Sequence, residues 1–246
     1  MVGRLLLRGM LVGVLAGILI FAFARTFGEP LVDRAIAFEE QAAQAAGEMP
    51  EPEIVSRATQ AGLGLFTGSI IYATAVGGLF ALVFAYVYGR VSTFGARGTA
   101  ALLALAAFIA ISVVPDIKYP ANPPAVGNPD TIGARTELFF IMIVASVIGM
   151  IVAVGFGRRL AARYGSWNGA ILAGIGYILF VALIQYLLPS INEVPEQFSA
   201  VVLWRFRIAA LGMHAILWTT LGLAFGAWAE RDLPQVRYGR AATRRA

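Results

Sequence analysis

The sequence predicts an all-α polytopic membrane helix bundle, with about six transmembrane helices and both termini cytoplasmic. Three observations carry this expectation. The 33 charged residues of the 246 leave six charge-free runs, residues 9–24, 58–89, 98–115, 138–157, 164–192 and 208–229, of 16, 32, 18, 20, 29 and 22 residues. A helix needs about 20 mostly apolar residues to cross a bilayer. Hydrophobic residues make up 59% of the chain and mean hydropathy is +0.77, which leaves too little polar surface for a water-soluble domain. The runs do not alternate in polarity, as the strands of a transmembrane barrel would.

The third observation is how the charges divide between alternate connections. Spans at about 5–26, 63–88, 98–115, 138–157, 168–188 and 206–228 place Arg4, Arg8, Arg90, Arg97, Arg158, Arg159, Arg163, Arg231, Arg237, Arg240, Arg244 and Arg245 on one side. That side holds twelve basic residues against two acidic ones, Glu230 and Asp232, and the other holds seven against twelve, giving balances of +10 and −5. Lysine and arginine accumulate in cytoplasmic loops, so the acidic side faces outward. The whole chain, 1–246, reads as a single integral membrane domain of an inner (cytoplasmic) membrane, and its basic balance follows from topology rather than nucleic-acid binding.

Taken in order, the first span carries Gly9, Gly13 and Gly17 on one face, a spacing that lets helices approach closely in lipid. Arg4, Arg8 and the Ala22-Phe23-Ala24 pattern also fit a signal peptide, but the glycine stripe favours a retained helix. Residues 29–47 read as a helix entered at Glu29-Pro30 and stopped by Gly47, with Leu31, Ala35, Phe38 and Ala42 on its apolar face. Gly64 with Gly68, and Gly222 with Gly226, extend the close-packing pattern to the second and sixth spans. Tyr86, Tyr88, Tyr164, Trp167 and Trp228 fall at inner span ends, and Tyr119, Tyr186 and Trp204 at outer ends, where such rings favour the headgroup level.

Residues 89–97 and 158–167 form short inner connections. Ten of eleven prolines, including Pro50, Pro52 and Pro115, lie on the outer side. Residues 115–137 carry five prolines and read as a rigid, turn-rich loop that brings Asp116, Asp130 and Glu137 over the bundle, or else as a plain stiff connector.

Much site chemistry is missing from the sequence. It has no cysteine, no phosphate-binding G-x-x-x-x-G-K-[ST] loop and one histidine, so thiolate and clustered-imidazole metal sites are excluded and no enzyme is expected. His214 lies inside the sixth span, seven residues after Arg207 and on the same helix face. An ionisable group at that depth is a candidate ligand or proton carrier, with simple interhelical hydrogen bonding as the alternative. Glu29, Asp33, Asp116, Asp130 and Glu137 are the remaining candidate metal-attracting groups, because carboxylate oxygens suit hydrated divalent cations.

Four segments resemble a known family. They are Phe27-Gly28-Glu29-Pro30 running into Val32-Asp33-Arg34-Ala35-Ile36-Ala37-Phe38-Glu39; Lys118-Tyr119-Pro120-Ala121-Asn122-Pro123-Pro124-Ala125-Val126-Gly127; Ile191-Asn192-Glu193-Val194-Pro195; and Trp204-Arg205-Phe206-Arg207. Together they resemble the CbtA family of probable cobalt transporter subunits, from the end of the first helix to the start of the last. The resemblance implies uptake of a divalent metal, cobalt, linked to cobalamin synthesis. It also implies transported Co2+ as cargo with no permanently bound cofactor, and a small histidine-rich CbtB-like membrane subunit as partner beside the lipid bilayer. No nucleic acid is implied. The alternative is a structural or assembly membrane subunit with no transport pathway of its own.

Overall fold

The computed structural model describes residues 1–47, 54–124, 126–231 and 233. Pro50, Pro52, Ala125, Asp232, Arg237, Arg240, Arg244 and Arg245 lie outside the described residues. Among those described, six helical stretches are long and apolar enough to cross a membrane: Val2–Ala46, Arg57–Val87, Ala96–Lys118, Asp130–Tyr164, Ser166–Leu187 and Ala200–Glu230. The elements are α1 (Val2–Phe23), α2 (Glu29–Ala46), α3 (Arg57–Thr59), α4 (Leu65–Val87), α5 (Ala96–Ala107), α6 (Val114–Lys118), α7 (Pro129–Tyr164), α8 (Ser166–Leu187), α9 (Ala200–Thr220) and α10 (Gly226–Glu230). Wider π turns at 24–28, 60–64, 108–113 and 221–225 join several of them end to end.

The expected helix at 29–47 is present and ends at Gly47, which has the positive φ (74°) of a helix stop. It is not set off from the first span, because the π turn at 24–28 runs straight into it. Proline has no N–H, and its ring clashes with the carbonyl four residues back. Pro30 and Pro115 each follow a π turn by two residues, and the wider turn makes room for that ring.

The largest departure from expectation lies around the fourth span. Instead of 138–157, α7 runs 36 residues, about 54 Å at 1.5 Å per residue against a hydrocarbon core of about 30 Å. Charge-free length reports the apolar core, whereas a helix continues past it wherever capping permits. The Asn128 side chain accepts a hydrogen bond from the Asp130 amide, and Pro129 occupies the first turn. The expected loop at 115–137 therefore shrinks to residues 119–128, and Asp130 and Glu137 stand on a helix. Likewise the expected connection at 158–167 reduces to Gly165 (φ 83°), the one residue between α7 and α8.

The chain folds into two compact units: residues 1–29, 52–105 and 212–246, and residues 30–51 and 106–211. In the first unit α1 lies against α4 along the expected glycine stripe. A Cβ added at Gly9 would stand 2.2 Å from the Gly77 carbonyl oxygen, and one at Gly13 2.3 Å from that of Ala73. Gly222 and Gly226 press on Ala104 and Ala100 of α5 in the same way, while Gly68 faces open space and Gly64 meets only its own helix. The second span's glycine pair thus makes no helix contact, contrary to expectation. Phe80, Phe84 and Phe225 close the core, with Phe225 edge-on to both other rings.

In the second unit α7 and α8 pair along their length. Gly169 makes the close approach, since a Cβ there would lie 2.5 Å from the Ala161 nitrogen. Val114, Tyr119, Met142, Tyr177 and Val181 form the core, and a 2.7 Å hydrogen bond joins Ser146 to the Tyr177 hydroxyl. Only 11% of the apolar stretch of α8 is buried. In water such a surface would aggregate; facing lipid, it is what a spanning helix shows.

Candidate functional site

The second unit draws distant segments of the chain into one polar cluster. Its scaffold is the proline-rich loop at 119–128, the first two turns of α7, the connection at 188–199 and the start of α9. Prolines 120, 123 and 124 restrict φ and remove backbone donors, so the loop's carbonyls are left for side chains to satisfy. Two arginines take adjacent carbonyls. Arg135 of α7 donates to Pro120 O, and Arg207 of α9 donates from Nε to Ala121 O at 3.2 Å and from its terminal nitrogen to Asn122 Oδ1 at 3.0 Å. This suits arginine's planar fork, which places several donors at once.

Glu193 ties the second connection to α7. Its side chain is 2% exposed, Thr131 Oγ1 donates to it at 2.9 Å, and Arg135 approaches its other oxygen at 3.5 Å. A buried carboxylate without such partners would be costly. Beside it, Lys118 Nζ donates to Ser190 Oγ at 3.0 Å, and the Tyr119 hydroxyl donates to Pro189 O at 2.7 Å. Tyr119 is 2% exposed, so it is a clamp between two loops and not the headgroup-level ring its position suggested. Burial pushes its phenol above the usual value and keeps it a donor.

The six candidate residues divide between the two units. Glu29 belongs to the first unit, is buried, and forms an ion pair with Arg57. His214 is also in the first unit, half-buried on α9. Asp33, Asp116, Asp130 and Glu137 belong to the second. There Asp130 and Glu137 are exposed, seven residues apart on one face of α7. Asp116 is half-buried at the end of α6, where it feels the charge of Arg135. Among the described residues, no group of three or more histidine, cysteine, aspartate or glutamate side chains is placed to hold a metal ion.

The sequence reading did not single out Arg135, Thr131 or the partners of Glu193 and Arg207. A signal did exist for part of the cluster, because Tyr119, Asn122, Glu193 and Arg207 all lie within segments that carry the family resemblance. The physical content of those segments is that they bind one another.

Six apolar spans and proline-stiffened connections cross-linked by arginine and glutamate define a multi-pass helical membrane protein. Its distinctive residues lie at the connections and not inside the apolar stretches. A family model described as probable cobalt transporter subunit (CbtA) matches residues 2–230, and the chain belongs to that family. No curated protein and no solved structure matches it.

Proposed function

We propose that this chain is the membrane-embedded subunit of an inner-membrane system that takes up Co2+ for cobalamin synthesis, both termini cytoplasmic. A small histidine-rich subunit supplies the imidazoles that this chain lacks, and the chain itself is not an enzyme. The family match across all six spans carries the reading. The −5 outer charge balance of the sequence supports it, since a negative mouth concentrates cations. Asp116, Asp130 and Glu137 collect the ion beside the braced loop, Asp33 and Glu29 add to the field, and His214 is the one imidazole within a span.

One observation favours the alternative of a structural or assembly subunit. Glu29 is already engaged by Arg57, so at least one candidate carboxylate serves packing. Vesicles containing the purified chain, with and without the small histidine-rich subunit, separate the two readings by uptake of labelled cobalt. Uptake that needs both chains and falls several-fold in His214→Ala supports transport through this subunit. Failure of both chains together to move cobalt, while cells lacking this chain still lose cobalt, supports assembly.

A further inference from the structure

We propose that the groove between α7 and α8 holds one anionic phospholipid, with an acyl chain along the groove and its phosphate on the arginines at the end of α7. The groove has a volume of about 290 Å3, with Val152, Phe156, Leu160, Leu172, Gly176 and Phe180 among its lining residues. Along α7 the lining extends from Ile148 to Leu160. Twelve residues at 1.5 Å each make about 18 Å, close to the roughly 15 Å that one leaflet contributes to a 30 Å hydrocarbon core. Its shape therefore fits an extended chain entering from one membrane face.

Charge names the headgroup. Arg159 and Arg163 stand at the Leu160 end of the groove, both exposed, and neither has a carboxylate partner among the described residues. The sequence has no acidic residue between Glu137 and Glu193. Arg159 lies over the Phe156 ring, 5.9 Å from its centroid, and Phe156 lines the groove, so this cation stands at its mouth. Arg163 lies one turn beyond Leu160 and stacks over Tyr164. Tyr164 and Trp167, the latter 77% exposed, mark the same end as headgroup level. Two guanidinium groups without a carboxylate partner at an apolar slot, those of Arg159 and Arg163, select a phosphate without a compensating cation, which excludes choline lipids.

The test uses the full purified chain in detergent with dioleoyl phosphatidylglycerol or dioleoyl phosphatidylcholine, read by native mass spectrometry. One phosphatidylglycerol is expected to be retained per chain, favoured at least about ten-fold, since each arginine at an anionic headgroup contributes roughly five-fold. Neutralising the two arginines at the mouth (R159Q/R163Q) removes the preference. Gly176→Leu, which fills the groove and leaves every charge in place, lowers retention of the lipid. Glycerol phosphate at millimolar concentration does not compete. Equal retention of the two lipids, unchanged retention in the arginine variant or in Gly176→Leu when each elutes as a folded species, or full competition by glycerol phosphate would overturn the proposal.

Discussion

Replacing Gly9 by alanine tests the packing of the first unit against a built-in control. The added Cβ would stand 2.2 Å from the Gly77 carbonyl oxygen and 2.5 Å from the Ala81 Cβ, where real Cβ atoms keep at least 3.0 Å. Relieving the first contact requires α1 and α4 to part by about 0.8 Å, the difference between 3.0 and 2.2 Å. A gap of that size forfeits a quarter to a half of each dispersion contact along the seam. Overpacking of this kind costs about 1–3 kcal/mol, offset by up to about 1 kcal/mol from alanine's better helix propensity. Gly68→Ala makes the same chemical change on α4 with nothing within 4 Å of the new methyl, so only the propensity gain remains. The two variants should differ by about 2 kcal/mol, roughly 4–8 °C in apparent melting temperature for a chain this size. Thermal unfolding of both in one detergent, followed by circular dichroism, measures the difference. If the two variants melt together, the close approach of α1 to α4 does not hold the unit together.

Four further outcomes concern the polar cluster and the turn between α7 and α8. Glu193→Ala takes from Arg135 its carboxylate partner, leaving the bond to Pro120 O, and removes the acceptor of Thr131, and should cost about 2–4 kcal/mol; Arg135 is 18% exposed, which moderates the loss. Chemical denaturation in mild detergent reads it, and an unchanged midpoint would deny the cluster a structural role. Tyr119→Phe keeps the buried ring and removes only the bond to Pro189 O, for about 1–2 kcal/mol by the same assay. Arg207→Lys cannot satisfy Ala121 O and Asn122 Oδ1 together, so backbone hydrogen exchange in residues 119–128 should accelerate several-fold; exchange as slow as in the parent would refute the fork. Gly165→Ala forces a side chain into positive φ and should destabilise by about 1 kcal/mol, again read by thermal unfolding.

What the sequence made legible follows from which forces act locally. The six spans were readable because a charge in hydrocarbon is expensive, so every interruption of an apolar run means something. Gly9 and Gly13 were readable because spacing alone puts them on one face, but the same spacing misled at Gly64 and Gly68, where no neighbour approaches. Helix ends were poorly legible: the apolar run 138–157 sits inside a helix set by the Asn128 cap and the Gly165 stop. The polar cluster was least legible of all. Thr131 bonds Glu193 across 62 residues and Arg207 bonds Asn122 across 85, and no pattern in either segment names its partner. In the sequence Arg135 and Glu193 look like ordinary loop charges; the fold buries them.

Gly165, the lone residue between α7 and α8, bears on how the protein is made. With a single residue between them, the two helices are neighbours in the chain as well as in space, the arrangement of an αα-hairpin. Insertion of the two as one hairpin would seat Gly169 against Ala161 without a search for a distant partner. The same coupling runs in reverse. A pull on either helix passes to the other across one residue, so the pair would resist extraction as a unit.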